Sequence, residues 1–265
     1  MGKILLTVDG SPFAERALDI AIDLAQQRRC DLTLLRVLVK GEREQAEAYL
    51  NGLKERAEAH HITAQALLLE GDPTEKILEQ SESHDLLVMT SHGHSQFDQL
   101  ILGSVTEKVS RRAKCPVFVL RDRQLRLRDI RKVMVPLDGS EFSESALAEA
   151  QNFCQGTGAS LLLARVDEAV GVEIGLVSRD EESRLMDGYL QGVKDSINTD
   201  IEVEVVHDFG SAARSLLKLV DREGVDLVVM CSHGRGGFNR WVSGSVAENV
   251  LRASLAPVMI VRARS

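Results

Sequence analysis

A chain of 265 residues with 44% hydrophobic and 27% charged residues carries enough apolar material for packed cores, which excludes a disordered polymer. Its net charge of −8 argues against a nucleic-acid binder, for which a basic face is needed. No apolar run approaches the roughly 18 residues that span a bilayer, and the start MGKILLTVDGS reads as a strand entering a turn rather than a signal peptide, so a cytoplasmic protein without a membrane partner is expected.

In chain order, Ile4–Val8 is a short apolar strand ended by Asp9-Gly10-Ser11, with Ser11 placed to cap a helix. Ala14, Ala17, Leu18, Ala21, Ile22 and Ala25 follow the i, i+3, i+4 spacing of an amphipathic helix. Leu32–Leu38 is a second strand, and Glu42–His60 a charged helix with Leu50, Leu53 and Ala57 on one side. Ala64–Leu69 is a third strand; Gly71-Asp72-Pro73 turns the chain into a helix near Thr74–Ser83. Leu86–Met89, a glycine-containing loop, a helix from about Ser104 and the strand Val117–Leu120 follow.

The order then repeats: Val133–Leu137, a helix to about Gln155, Leu161–Val166, a helix, Glu202–Val206, a helix, Leu227–Met230, a loop, a helix and Val258–Val261. Asp85–Arg121 aligns with Asp226–Arg262 without a gap, close to half of the pairs being identical, and KILLTVDGS returns as KVMVPLDGS. The second copy is longer, mostly after Val166, where the acidic stretch Glu168–Asp187 is expected to be irregular and mobile. Two domains are expected, residues 1–122 and 132–265, joined by a solvated basic linker over 123–131. Strands alternating with helices imply an α/β fold in each half, a mostly parallel sheet with helices on both faces and its ligand crevice at the carboxyl ends of the strands. Cys30, Cys115, Cys154 and Cys231 show no C-x-x-C spacing, so neither a zinc site nor a redox pair is indicated.

Chemistry concentrates in the loop Ser-His-Gly-x9-Gly-Ser, at Ser91–Ser104 and Ser232–Ser245. Gly93 and Gly234 let backbone amides face an anion, while Gly103-Ser104 and Gly244-Ser245 restart a helix with exposed N–H groups. Neither the P-loop nor the dinucleotide fingerprint occurs. Asp9 and Asp138 read either as turn formers or as ligand contacts. His92 and His233 read as pins of the loop more readily than as bases, and Phe238 and Trp241 as packing groups more readily than as a stack for a ring. With no paired acid and no carboxylate cluster to activate an in-line water, efficient catalysis is not expected, and slow hydrolysis is left open.

These motifs, repeated over nearly the whole chain, closely resemble the universal stress protein family, whose nucleotide motif is G-x2-G-x9-G-[ST]. The resemblance implies two tandem Rossmann-like, adenine nucleotide alpha hydrolase-like domains, each a five-stranded parallel sheet flanked by helices. It further implies ATP as ligand, with or without Mg2+. Carried over, the second-half site is Pro136, Leu137, Asp138, Val166 and Met230, with a phosphate loop of Gly234, Arg235, Gly237, Gly244, Ser245 and Val246. The first-half counterparts are Thr7, Val8, Asp9, Val37, Met89, Gly93, Gly103, Ser104 and Val105. Both copies depart at the motif's first glycine, which is Thr90 in one and Cys231 in the other. Weakened binding is expected there rather than none. The second loop offers Arg235 and Arg240, whereas the first adds the carboxylate of Asp98, so the second half is expected to be the better ATP site. The resemblance also implies pairing of the two halves through strands 117–120 and 258–261, and leaves a homodimer open. The leading reading is a nucleotide-responsive stress regulator. The alternatives are a slow Mg2+-dependent ATPase and a nucleotide-free structural or ligand-carrying protein with decayed sites.

Overall fold

The central strand of the first half, β1 (Lys3–Thr7), holds Ile4, Leu5 and Leu6 out of solvent on both faces, as a continuous apolar run does when helices cover both sides of a parallel sheet. The computed structural model describes residues 2–39, 43–91, 102–121, 126–167, 178–197, 200–232 and 245–262. Two units divide the chain, Met1–Asp129 and Ile130–Ser265.

In the first unit, β1 is followed by α1 (Pro12–Arg28), β2 (Asp31–Leu38), α2 (Arg43–Glu58), β3 (Ala64–Glu70), α3 (Pro73–Ser81), β4 (Leu86–Thr90), α4 (Ser104–Arg112) and β5 (Val117–Leu120). The strands lie in the order β3-β2-β1-β4-β5, every described pair parallel. Ser11 caps α1, its Oγ accepting the Ala14 N–H at 3.1 Å, and Arg29 ends that helix in the left-handed region at φ 53°. The alanines and leucines spaced for one helical face are buried, with Ile20 and Leu24 beside them. Asp72 caps α3 in the same way, accepting from Glu75 N–H at 3.0 Å.

The second unit runs β6 (Lys132–Pro136), α5 (Glu141–Glu144), α6 (Leu147–Thr157), β7 (Ser160–Asp167), α7 (Arg179–Ser196), β8 (Val203–Phe209), α8 (Ala212–Arg222), β9 (Leu227–Cys231), α9 (Ser245–Ala253) and β10 (Val258–Val261). Its order is β10-β9-β6-β7-β8, again parallel in every described pair. Each half is thus the five-stranded, helix-flanked parallel sheet that the repeat implied.

Three segments differ from expectation. The helix expected through Gln155 is broken into α5 and α6, because Ser143 Oγ bonds the Ser140 carbonyl at 2.8 Å and Ser145 Oγ the Phe142 carbonyl at 2.6 Å. Such hydroxyls compete with the helical ladder. The acidic stretch expected to be irregular through Asp187 is helical from Arg179: Ser178 caps α7, and Asp180, Glu181 and Glu182 fill its first turn, where the helix dipole favours carboxylates. Residues 168–177 of that stretch lie outside the described residues. In the span expected as a solvated linker, residues 123–125 also lie outside, but the remainder is anchored. Arg126 pairs with Asp19 at 3.3 Å and Asp23 at 3.0 Å, the Leu127 N–H donates to Asp23, and Leu127 and Ile130 are buried.

The four cysteines carry no disulfide. Burial pushes the thiols of Cys115 and Cys154 up to about 12, so both behave as small core hydrophobes. No described helix is long and apolar enough to cross a membrane.

Candidate functional site

At the carboxyl edge of the first sheet, β1 leaves through Asp9-Gly10-Ser11. Asp9 Oδ1 accepts the Ser11 N–H at 2.9 Å, and Gly10 takes φ 90°, a conformation that favours glycine. The same turn recurs in the second half: Asp138 Oδ1 accepts from Ser140 N–H at 3.0 Å and from Ser140 Oγ at 2.6 Å, across Gly139 at φ 82°. Both aspartates therefore form their turns, and the turn fixes each carboxylate at a strand end.

The start of α4 is tied to the end of β4. Gly103 N–H donates to the Ser91 carbonyl at 2.7 Å and Thr106 Oγ1 to the Thr90 carbonyl at 2.9 Å. Gly103 is the N-cap residue of α4 and supplies no side-chain cap, unlike Ser11 and Asp72 at α1 and α3. The first amides of α4, with the positive end of its dipole, consequently face an open space.

That space is a cavity of about 290 Å³. The sequence-predicted Thr7, Val8, Asp9, Val37, Met89, Gly103, Ser104 and Val105 all line it; Gly93 lies outside the described residues. Its walls are layered by chemistry. Leu35, Val37, Ile77 and Met89 supply apolar lining, whereas Asp9 and the start of α4 at Gly103 and Ser104 supply polar groups. Thr90, which stands where the nucleotide motif has glycine, is 8% exposed and part of the lining.

Sequence reasoning missed Ala14, Leu35, Pro73, Ile77 and Thr106, which also line the cavity. Leu35 was within reach, since it lies two residues from Val37 and shares its strand face. Ala14 belongs to the inner stripe of α1. Pro73 and Ile77 arrive on α3, and nothing local in the sequence announces that placement.

In the second half, Pro136 and Leu137 are buried at the end of β6, and Val166 lies near the end of β7. Met230 and Cys231 are buried at the end of β9, while Ser245 and Val246 open α9. Gly234, Arg235, Gly237 and Gly244 lie outside the described residues, as do His92, Asp98, His233, Phe238, Arg240 and Trp241. One difference between the halves is visible. Ser143 occupies the place of Ala14, and its Oγ accepts the Asp138 N–H at 3.2 Å. Among the described residues no group of three or more His, Cys, Asp or Glu side chains could hold a metal ion.

Comparison with known proteins gives a consistent picture. The model of the universal stress protein family matches residues 1–121 and again 129–262. A universal stress protein of Mycobacterium tuberculosis is 27% identical over 289 residues, spanning 98% of this chain and 96% of that protein. A universal stress protein from Thermus aquaticus is 38% identical over 133 residues, covering 44% of this chain and 97% of the relative. The crystal structure of a universal stress protein from Archaeoglobus fulgidus superposes with a TM-score of 0.77 at 25% identity, covering 98% of each chain.

Proposed function

Because the chain belongs to the universal stress protein family, with one family domain in each half, we propose that it binds an adenine nucleotide at the carboxyl edges of its sheets and serves as a nucleotide-responsive regulator without efficient catalysis. The observation that carries this reading is the first-half cavity, which apolar side chains line together with a turn-fixed carboxylate, Asp9, and the side-chain-uncapped start of α4. Apolar lining suits a purine, a carboxylate suits ribose hydroxyls, and helix amides suit phosphate oxygens. ATP would be held mainly by backbone, with Mg2+ brought by its phosphates. Binding would shift the population of states offered to a partner. Within this reading the second half, with Arg235 and Arg240 in its loop, is the tighter site, and the two halves pair through β5 and β10 in a soluble cytoplasmic protein.

Mass spectrometry of small molecules released from the purified full chain, followed by calorimetry with ATP, tests the proposal. Saturable binding with ATP recovered intact after long incubation supports it. Turnover of ATP with Mg2+ would favour the slow ATPase instead. The lining position of Thr90 favours a third reading, a carrier of a smaller ligand, which a non-nucleotide in the released fraction and no response to ATP would establish.

A further inference from the structure

Around the β1–α1 turn each half groups the same four side chains: Asp9, which also lines the cavity, with Glu15, Arg36 and Tyr49 in the first, and Asp138, Glu144, Arg165 and Tyr189 in the second. Strand alternation explains the placement. Val37 faces the cavity, so Arg36, one residue earlier, faces the other way. Its guanidinium lies against the turn, where a Cβ on Gly10 would meet it at 3.2 Å, and over the Tyr49 ring at 5.2 Å from the centroid. Arg165 sits over Tyr189 at 4.9 Å in the same manner.

The second copy is closed by its own carboxylates. Arg165 donates through Nε and Nη2 to Asp167 at 2.9 and 2.7 Å, and the Tyr189 hydroxyl donates to Glu144 at 2.7 Å. The first copy lacks both closures. Leu38 stands in the place of Asp167. Glu15, the counterpart of Glu144, is drawn to Arg56 at 3.8 Å, and Glu70, in register beside Leu38, is taken by Arg43 at 2.6 Å. Among the described residues Arg36 consequently has no carboxylate partner, and the Tyr49 hydroxyl is sealed from solvent without a hydrogen bond. An orphaned hydroxyl beside a guanidinium that no described carboxylate engages directly is a costly arrangement unless something completes it.

We infer that Arg36 and Tyr49 form an oxyanion site, separate from the nucleotide crevice, that takes a carboxylate or phosphate group in the place the second half fills with Asp167 and Glu144. The second copy identifies the ligand chemistry: two N–H donors of one guanidinium converge on a single carboxylate oxygen, and the phenol donates to an oxygen of a second carboxylate. Charge points the same way. The first cluster sets Arg36 and Arg56 against Asp9 and Glu15, whereas the second sets Arg165 against Asp138, Glu144 and Asp167. An added anion therefore meets less negative charge in the first half than in the second.

The test is a titration of the full chain, labelled with 15N at arginine, followed through side-chain Nε–Hε resonances. Sodium phosphate, sodium acetate and sodium chloride are compared at equal ionic strength. The resonance of Arg36, identified by its loss in Arg36→Lys, should shift saturably with phosphate, with acetate or with both, and the arm that saturates names the source. Leu38→Asp, which copies the Arg165–Asp167 pair, should weaken that response by about tenfold or more, with the chain still folded by its melting curve. Leu38→Asn should retain most of it. A linear drift that chloride reproduces, or a saturable response unchanged in Leu38→Asp, would overturn the inference. Neither readout depends on whether the crevice binds nucleotide.

Discussion

Thr106 donates its hydroxyl to the carbonyl of Thr90 at 2.9 Å, so the residue replacing the motif's first glycine is tied directly to the opening turn of α4. The bond is buried in the lining of the cavity, joining the strand that supplies Met89 to the helix that supplies Ser104 and Val105. Thr106→Val keeps the shape and removes the donor. It should cost about 1 kcal/mol in urea unfolding and lower first-half nucleotide affinity several-fold, read as a change in one of two binding phases in calorimetry.

Gly103 sits at φ −62° and ψ 143°, a conformation that any residue adopts. Gly103→Val therefore brings no left-handed backbone strain, and it adds bulk at a residue that lines the first-half cavity. Because the second loop carries both cations, Gly244→Val should weaken ATP binding by the full chain much more than Gly103→Val does. Equal losses in calorimetry would remove the asymmetry between the halves.

Gly10 poses the opposite case. At φ 90° a side chain is strained, and a Cβ would press on the Arg36 guanidinium at 3.2 Å. Gly10→Ala should destabilise the chain by about 1–3 kcal/mol, whereas Gly52→Ala, on exposed α2 with nothing within 4 Å, should be neutral or stabilising by up to about 1 kcal/mol. Paired urea melts measure both.

Much of this was legible because apolar runs and caps carry their own signals. Nine of the ten strands fall within one residue of the expected limits, since each is an apolar run closed by a polar or glycine turn, whereas β8 runs three residues past Val206 to Phe209. The first-half lining residues were carried over from the family resemblance, and the crevice rule independently points to the same strand ends. Serine chemistry hid the break between α5 and α6, since a hydroxyl that bonds its own helix looks like any other polar residue. Acidity misdirected the reading of α7, because three carboxylates at a helix start resemble a solvated loop. The Arg36–Tyr49 contact joins a strand and a later helix, and no spacing announces it.

Stability should fall at alkaline pH. Desolvation raises the folded Cys115 thiol from 9.0 to about 12, so the neutral form is favoured on folding. Its contribution is complete below pH 9, where unfolded and folded thiols are both protonated. It declines as pH climbs from 9 towards 12, by up to about 1.4 kcal/mol per pH unit. Cys115→Ala should flatten the slope of unfolding free energy between pH 9 and 10.5, and wild-type Cys115 should resist alkylation at pH 8 until the chain unfolds.

The ion pairs of Arg126 with Asp19 and Asp23 bear on where one copy of the duplication ends. The sequence repeat closes at Arg121, yet the first half draws the following turn back onto its own helix α1 and borrows a cation from it. Severed after residue 122, the first half would keep an acidic pair on α1 and lose its counter-ion; severed after Asp129 it would keep both. The boundary of the first structural unit thus lies several residues beyond the point where the likeness of the two halves stops, and the turn after Arg121 belongs to the earlier unit.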